Sequence, residues 1–338
     1  MYTEFFGLEK LPFNLTPDPA FLFLPTKHGE ALAGLVYAIS ERKGFVVLTG
    51  DAGTGKTTLL NTVLNRLPRD KTQSSVILNP TLSPSEFLEI VLLDFGISDV
   101  PQSKAQRLWK LQEVLLQAYR DENIAVLVID EAHKLSPDVL EEIRLLGNFE
   151  YGSDKFLQIV LLGQCELEDL LNRQDLRQFK QRIALRLYID ALSSAEVGHY
   201  VSFRWEKAGG SSALPFSPAA IAAIAEYSHG IPRLINSLCD TALLMAYGDA
   251  SHSIDVGYIR DAAINLSLTE NPKPALVVAH PIPSPLMENQ LTMKLLPVEV
   301  SAHRSAAPED PVIPTLARYQ TRANSSWLKR LAGRFGTH

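Results

Sequence analysis

The fold is decided by the stretch GFVVLTGDAGTGKTTLL, residues 44–60, in which an apolar strand, a glycine-rich turn and a helical run follow one another. Its central part, residues 50–57, fits the phosphate-loop pattern G-x-x-x-x-G-K-[ST] at every required position. Glycines let the backbone wrap closely around phosphate groups, and backbone N–H groups and the helix start favour negative charge there. We therefore predict a nucleotide phosphate site. A glycine-rich turn without a ligand is the alternative, and the Lys-Thr ending disfavours it.

The loop residues predict ATP and Mg²⁺ as cofactors. Lys56 can reach the β and γ phosphates, and the Thr57 hydroxyl can ligate Mg²⁺. The other residues predicted to contact the nucleotide are Gly50, Asp51, Ala52, Gly53, Thr54, Gly55 and Thr58.

An acidic pair ends a second apolar run, AVLVIDEAHKL, residues 125–135. Asp130 at such a strand end can hold Mg²⁺, and Glu131 can activate a water molecule. A solvated acidic strand end is the alternative, which the phosphate loop upstream disfavours. The strand-like run at residues 75–78 suggests that another strand lies between the phosphate-loop strand and the acidic strand. His133 is more typical of a loop or a helix start than of a catalytic group.

Two polar residues near predicted strands are weaker candidates. Gln164 follows the apolar run 157–162 and could contact the γ-phosphate or the attacking water, although a strand-end glutamine is usually a turn residue. Asn148, in RLLGNFE, could contact Glu131 or the same water, and a helix cap is equally consistent.

Arginines form a third group of candidates. The segment LRQFKQRIALR contains Arg177, Arg182 and Arg186, and an arginine inserted into a neighbouring subunit's site would stabilise charge developing on the γ-phosphate. For any one of them alone, a solvated basic helix face is the simpler interpretation. Arg233, in GIPRLIN, starts a helix from which it could reach the nucleotide from a second domain.

The order of apolar runs predicts an α/β fold with a parallel sheet and helices on both faces. Near-continuous Val, Ile and Leu runs suit strands buried on both faces, and helical segments separate these runs. The runs lie at 45–49, 75–78, 125–129, 157–162 and 185–189. This core is predicted over residues 1–190. A helical domain is predicted over 191–270, with helix starts at Ser193, Ser217, Pro232 and Asp255. Residues 271–338 read as a proline-rich, basic, disordered tail.

Charge and composition narrow the class of protein. The 338 residues carry a net charge of −6, and the last 67 residues carry a net +4, so the remainder carries −10. An acidic core gives no broad electrostatic footprint for DNA. The chain has two cysteines, no signal-peptide pattern at MYTEFFGLEK and no apolar run near the roughly 20 residues of a membrane span. We therefore expect a cytoplasmic location.

Together these segments resemble a known family. The opening FFGLEKLPFNLTPDPAFLFLPTKHGEALAGLVYAI, the phosphate loop, VLVIDEAHKL, LRQFKQRIALR and HGIPRLINSLCDTALLMAY are similar to the AAA+ ATPases of general secretion pathway protein A (GspA/ExeA). Related ATPases serve MSHA and type IV pilus assembly and exopolysaccharide export. The resemblance covers about residues 1–268. It implies an AAA+ P-loop core of the ASCE type followed by a helical lid.

The resemblance also implies a role for individual residues. The assignments are Lys56 and Thr57 on Walker A, Asp130 and Glu131 on Walker B, Gln164 at sensor 1, Arg233 at sensor 2, and Arg182, or else Arg177, as the arginine finger. Residues 13–23 would pack near the adenine, or serve equally as aromatic core. Cys165 stands where the family commonly has proline after Gly-Gln, which puts the local turn in doubt but not the ATP site.

For function, the resemblance implies an ATP-hydrolysing, nucleotide-dependent homo-oligomer that powers or regulates secretion, pilus assembly or polysaccharide export with an inner-membrane component. The alternative is a DNA-binding AAA+ ATPase that regulates transposition or another DNA-remodelling process. Related secretion proteins can continue into a membrane span and a peptidoglycan-binding domain, and we expect neither here. The basic stretch WLKRLAGRF, from Trp327 to Phe335, could dock on an acidic membrane surface or a partner, and disorder is the simpler expectation.

Overall fold

Seven strands run through residues 2–211 and 213–269, which are the residues that the computed structural model describes. They are β1 (Phe45–Thr49), β2 (Thr72–Ile77), β3 (Ile124–Ile129), β4 (Glu150–Tyr151), β5 (Asp154–Lys155), β6 (Leu157–Gly163) and β7 (Ile183–Tyr188). Five of them form one parallel sheet in the order β2–β3–β6–β1–β7, and β4 pairs with β5 in a separate antiparallel hairpin.

The helices of the same residues fall into three groups along the chain. The N-terminal pair comprises α1 (Tyr2–Phe5) and α2 (Thr26–Ser40). The second group comprises α3 (Lys56–Arg66), α4 (Pro84–Asp94), α5 (Lys104–Arg120), α6 (Pro137–Leu146), α7 (Glu166–Leu171) and α8 (Arg177–Lys180). The last group, which we call the lid, comprises α9 (Ser194–Lys207), α10 (Pro218–Ser228), α11 (Pro232–Gly248) and α12 (Val256–Asn265).

The strand order brings the phosphate loop and the acidic pair to the same end of the sheet, where the strands terminate. β6 lies between β1 and β3, with Thr49 aligned to Gly163 and Leu161 aligned to Ile129. The prediction of an intervening strand is confirmed, but that strand is β6, whereas β2 lies at the edge of the sheet. Because the carboxyl ends of parallel strands lie at the same end of the sheet, the residues that follow β1, β3 and β6 meet there.

Both faces of the sheet are covered, which explains the continuous apolar runs. Along β1, Phe45 and Val47 belong to one buried cluster, whereas Val46 and Leu48 belong to another. Helices α4, α5 and α6 pack on the first face, and α2 and α3 pack on the second. Each fully buried Val or Leu side chain contributes about 1.5–3 kcal/mol relative to an exposed one, so the two clusters hold the phosphate-loop strand rigidly.

The lid helices begin where the sequence predicts. Ser193 caps α9 in a reciprocal capping box with Glu196, and the Ser217 hydroxyl caps α10. Proline occupies the first position of α11, and the carboxylate of Asp255 accepts the backbone N–H groups of Gly257 and Tyr258 in the first turn of α12. The side chains of Ser193, Ser217 and Asp255 satisfy backbone donors that would otherwise lack partners, and each contributes about 1 kcal/mol. The four helices share one apolar cluster.

The buried aromatic and aliphatic side chains of the N-terminal segment, residues 2–21, pack with the lid. Tyr2, Leu8, Phe13 and Phe21 belong to the lid's apolar cluster, and the Phe13 ring meets the Phe216 ring edge-on at 6.0 Å. The sequence placed this segment with the core of residues 1–190. The physical reason for the difference is that helices already cover both faces of the sheet, so the lid offers the free apolar surface.

Residues 270–338 lie outside the described residues, and with them the predicted tail and the stretch from Trp327 to Phe335. Among residues 2–211 and 213–269, we find no helix with the length and apolar character required to cross a membrane.

Candidate nucleotide site

The phosphate loop turns sharply between β1 and α3. Gly53 and Gly55 have φ angles of 83° and 101°, in the left-handed region that glycine adopts without strain. At Gly50, a Cβ atom would lie 2.4 Å from the backbone oxygen of Ile189, so no side chain fits there. The loop therefore forms a narrow backbone cradle at the start of α3, as phosphate binding requires.

Lys56 is buried at the bottom of this cradle, with a relative exposure of 6%. Its ammonium group donates to the backbone oxygens of Gly50 and Asp51, at 2.7 and 2.8 Å. Burial lowers the pKa of Lys56, and the nearby carboxylates of Glu131 and Asp130 oppose that shift. A cation held in this way is ready to exchange its carbonyl partners for phosphate oxygens.

Thr57 and Asp130 meet across the sheet edge. The Thr57 hydroxyl donates to Oδ2 of Asp130 at 2.8 Å, and Oδ1 of Asp130 accepts the backbone N–H of Glu131 at the same distance. A hydroxyl and a carboxylate beside a phosphate cradle are the hard oxygen ligands that Mg²⁺ prefers. The residues present therefore fit a magnesium ion, which Thr57 and Asp130 would hold.

Glu131 follows Asp130 in an uncommon backbone conformation, with φ of 54°. Its Oε2 atom lies 3.0 Å from Nζ of Lys134 and 3.6 Å from Nε2 of His133. Burial alone would raise the pKa of Glu131, but the hydrogen bond to Lys134 and the positive charges of Lys134 and Lys56 outweigh it, and the net shift is downward. The carboxylate is therefore ionised at neutral pH, as a general base must be.

His133 connects the acidic pair to the end of β6. Its Nδ1 atom accepts the backbone N–H of Gln164 at 3.4 Å, while Nε2 faces Glu131. It belongs to a short 3-10 turn, Ala132–Lys134, as the sequence favoured. Next to Gln164, the exposed thiol of Cys165 donates to Oδ1 of Asp51 at 3.4 Å, so the non-proline turn contacts the phosphate loop.

A cavity of about 600 Å³ opens over these groups. This volume suits a nucleotide-sized ligand, for which pockets of about 300–1,000 Å³ are typical. The predicted site residues that line it are Ala52, Gly53, Thr54, Gly55, Lys56, Thr57, Thr58, Glu131, Gln164 and Arg233. The structure thus brings together residues that are spread over the core and the lid.

Arg233 enters the cavity from the lid. It is the second residue of α11, and its backbone N–H donates to the oxygen of Gly53 at 3.2 Å. A Cβ atom on Gly53 would lie 2.8 Å from Cβ of Arg233. The lid therefore rests directly on the phosphate loop.

Another predicted residue, Asn148, lies at the opposite end of the sheet. Asn148 is exposed in the turn after α6, and its neighbour Gly147 packs on Phe45, the first residue of β1. The expectation that Asn148 contacts Glu131 is therefore wrong for this chain's own site, because α6 leads away from the acidic pair.

The candidate arginine fingers lie at that same end. Arg177 starts α8 and is exposed, and Arg182 precedes β7 and donates to the backbone oxygen of Arg144 at 2.8 Å. At about 3.3 Å per residue, β7 separates Arg182 from the loop edge by about 20 Å. Neither arginine lines the cavity of its own chain.

Sequence reasoning missed several residues that line the cavity. His28, in α2, is buried, its Nε2 atom lies 3.0 Å from the backbone oxygen of Thr54, and burial lowers its pKa. Tyr200, Arg204 and Asn236 reach the cavity from the lid. The position of His28 within the N-terminal stretch that carries the family resemblance was a weak signal for it. The lid residues follow ordinary helical patterns and carried no signal.

A family model described as an AAA domain matches residues 39–171. General secretion pathway protein A of Aeromonas hydrophila is 42% identical over 268 residues, which is 79% of this chain and 49% of that protein. This chain is a GspA-like AAA+ protein. It spans about half the length of the relative it matches.

Solved structures share the fold of this GspA-like chain at low identity. Cdc6p from Pyrobaculum aerophilum superposes with a TM-score of 0.59 at 16% identity, covering 78% of this chain and 74% of that one. The ADP form of the Aeropyrum pernix ORC2 protein gives 0.57 at 19%, covering 75% and 71%. The predicted AAA+ architecture, a parallel sheet with flanking helices and a helical lid, is confirmed.

Proposed function

We propose that this chain binds ATP with Mg²⁺ in the cavity between sheet and lid and hydrolyses it. The observation that carries the proposal is the hydrogen bond of 2.8 Å between Thr57 and Asp130, beside Lys56 and Glu131. It joins a phosphate-loop hydroxyl to an acidic strand end, in the arrangement that P-loop enzymes use to hold the metal. That two such distant motifs meet at one cavity supports a working site.

In this proposal each group has one task. Mg²⁺, when bound, neutralises charge on the phosphates. Lys56 holds the β and γ phosphates, and the ionised Glu131 accepts a proton from the attacking water. Gln164, at the end of β6, orients that water or the γ-phosphate. Arg233 places a guanidinium at the phosphates from the lid, so that nucleotide binding favours one lid position.

We infer that the active form is a homo-oligomer assembled on ATP. Neither Arg182 nor Arg177 lines the cavity of its own chain, and β7 separates Arg182 from the phosphate-loop end of the sheet by about 20 Å, so either arginine would act in a neighbouring subunit's site. Arg182 is the first candidate, because its guanidinium is fixed on the backbone oxygen of Arg144. Burial lowers the pKa of Arg182, but arginine stays charged throughout the working range.

The cellular role that we propose follows the relative. Identity of 42% to a general secretion pathway protein supports a role in powering or regulating a cell-envelope system, at the cytoplasmic face of the inner membrane and with an inner-membrane component. We propose only this general role, and no particular machine or substrate, because the chain spans about half of that relative.

Hydrolysis is tested by Glu131→Gln. We expect ATP binding to persist, whereas steady-state phosphate release falls by about 10²–10⁴-fold, the usual contribution of a general base. Glu113→Gln, an exposed glutamate on α5, is the matched control and leaves turnover unchanged. Unchanged turnover in Glu131→Gln would overturn the assignment of the base, and a wild type that binds no ATP would overturn the proposal.

The choice between a cell-envelope role and a DNA-remodelling role is tested by ATPase assays with and without double-stranded DNA over a range of salt concentrations. We expect no stimulation by DNA, because the chain without its last 67 residues carries a net charge of −10. Strong stimulation that falls steeply with salt would instead support the DNA-remodelling alternative.

A further inference from the structure

The cavity has two chemically different ends. One is the phosphate loop with Lys56 and Thr57. The other is formed by residues 14–23, which we call the base-side strap, together with lid residues. If the phosphates occupy the loop, the base of the nucleotide must extend towards the strap and the lid. What holds the strap therefore decides how the base is held.

A single lid residue, Arg204 of α9, fixes the beginning of the strap. Its Nε atom donates to the backbone oxygen of Pro12 at 2.6 Å, and Nη2 donates to that of Asn14 at 3.3 Å. Its guanidinium also lies over the Phe21 ring, 5.0 Å from the centroid. The side chain is 7% exposed, so these contacts are shielded from water.

The guanidinium is itself anchored inside the lid. Nη1 of Arg204 donates to the hydroxyl of Tyr200 at 3.0 Å, and that hydroxyl donates to Oδ1 of Asn236 at 2.8 Å. Tyr200 also meets Phe23 of the strap edge-on, with centroids 5.8 Å apart. Helices α9 and α11 and both ends of the strap are thereby joined in one buried network that lines the cavity.

We propose that Arg204 is a positioning residue for the nucleotide base. It holds the base-side strap against the lid, and the base packs against that strap. The inference rests on the proposed ATP site. The core then holds the phosphates, and the lid holds the base. A nucleotide bridges the two, and lid rotation changes the grip on the base without displacing Lys56.

Arg204→Lys tests this inference, because lysine keeps the positive charge but cannot reach Pro12, Asn14 and Tyr200 together. Affinities for Mg-ATP and for Mg-tripolyphosphate, which lacks a base, are measured by calorimetry on the full chain. We expect ATP affinity to fall about tenfold, equivalent to about 1.4 kcal/mol, with tripolyphosphate affinity unchanged. At saturating ATP, kcat is unchanged while KM rises.

Three further variants separate a base-side effect from a general one. Arg260→Lys, at an exposed position of α12, is the matched control and alters neither affinity. Arg233→Ala, at the phosphate end, weakens ATP and tripolyphosphate alike. Tyr200→Phe removes only the hydroxyl that anchors Arg204, so it weakens ATP selectively while keeping the ring packing, and it serves if Arg204→Lys fails to fold.

The outcomes are distinct. A selective loss of ATP affinity in Arg204→Lys, or in Tyr200→Phe, supports the inference. An equal loss for both ligands, or no loss for either, overturns it. A wild-type chain that binds neither ligand overturns the proposed function instead.

Discussion

Nζ of Lys134 lies 3.0 Å from Oε2 of Glu131, the carboxylate that we assign as the general base. The same oxygen faces Nε2 of His133 at 3.6 Å. A base paired in this way with a cation is ionised but weakened as a proton acceptor, since the cation stabilises its charged form. The ammonium group of Lys134 therefore sets the strength of the base.

Removal of the lysine in Lys134→Met is expected to strengthen the base. The Lys134 ammonium lowers the pKa of Glu131, so its loss raises that pKa, and the ionised form is lost at a higher pH as the solution is acidified. The acidic limb of the kcat–pH profile should shift upward, and kcat at neutral pH should rise by up to about tenfold.

The matched control is Lys71→Met, because the Lys71 side chain is also 52% exposed and its Nζ lies 3.6 Å from Oε2 of a glutamate, Glu122. That variant should leave the profile in place. An acidic limb that stays where the wild type has it in Lys134→Met would contradict the pairing.

Thr57→Ala is expected to impair Mg²⁺ use more than nucleotide binding. Loss of the hydroxyl removes one predicted metal ligand, whereas Lys56 and the backbone cradle remain. The Mg²⁺ concentration for half-maximal turnover should rise about tenfold, the cost of about one net charge-assisted contact. Titration of the ATPase with Mg²⁺ measures this. Thr57→Ser, which restores the hydroxyl, should restore the wild-type value, and failure to do so would argue against ligation through Thr57.

Arg182→Ala is expected to abolish turnover while leaving ATP binding intact, because we propose that Arg182 serves a neighbouring site. A finger arginine contributes about 10³–10⁵-fold to turnover in comparable enzymes. Mixing Arg182→Ala with Glu131→Gln should restore part of the activity, since a mixed oligomer contains some sites with both groups present. Absence of any rescue, or normal turnover in Arg182→Ala alone, would remove Arg182 from this role, and Arg177→Ala would then be tested in the same way.

Gly230→Ala is expected to destabilise the lid strongly. Gly230 has φ of 75°, and a Cβ atom there would lie 1.9 Å from the backbone oxygen of Leu192, where the chain enters α9. Backbone cannot yield as a flexible side chain can, so we expect a loss above about 3 kcal/mol in unfolding free energy. Gly248→Ala is the control, because nothing lies within 4 Å of its Cβ position. It should be neutral or slightly stabilising, and equal melting temperatures for the two variants would contradict the argument.

The parts of the fold that follow from local patterns were predictable. Strand β1 and the phosphate loop are encoded within one short stretch, since glycine conformations and helix starts depend on near neighbours. The capping serines of the lid are equally local, and both Ser193 and Ser217 accept hydrogen bonds as predicted. Asn148 illustrates the limit, because its distance from Glu131 depends on the direction in which α6 leaves the sheet edge.

The sequence by itself determined which reactive groups each motif carries: a lysine and a threonine after a glycine-rich loop, and a pair of carboxylates after a buried strand. Only the tertiary structure decided which of these meet. Thr57 and Asp130 are 73 positions apart and touch because β1 and β3, on either side of β6, terminate at the same end of the parallel sheet. Arg204 and Pro12 are 192 positions apart and touch because the N-terminal segment finds its apolar surface on the lid. Such contacts depend on how whole elements pack, and no local pattern encodes that packing.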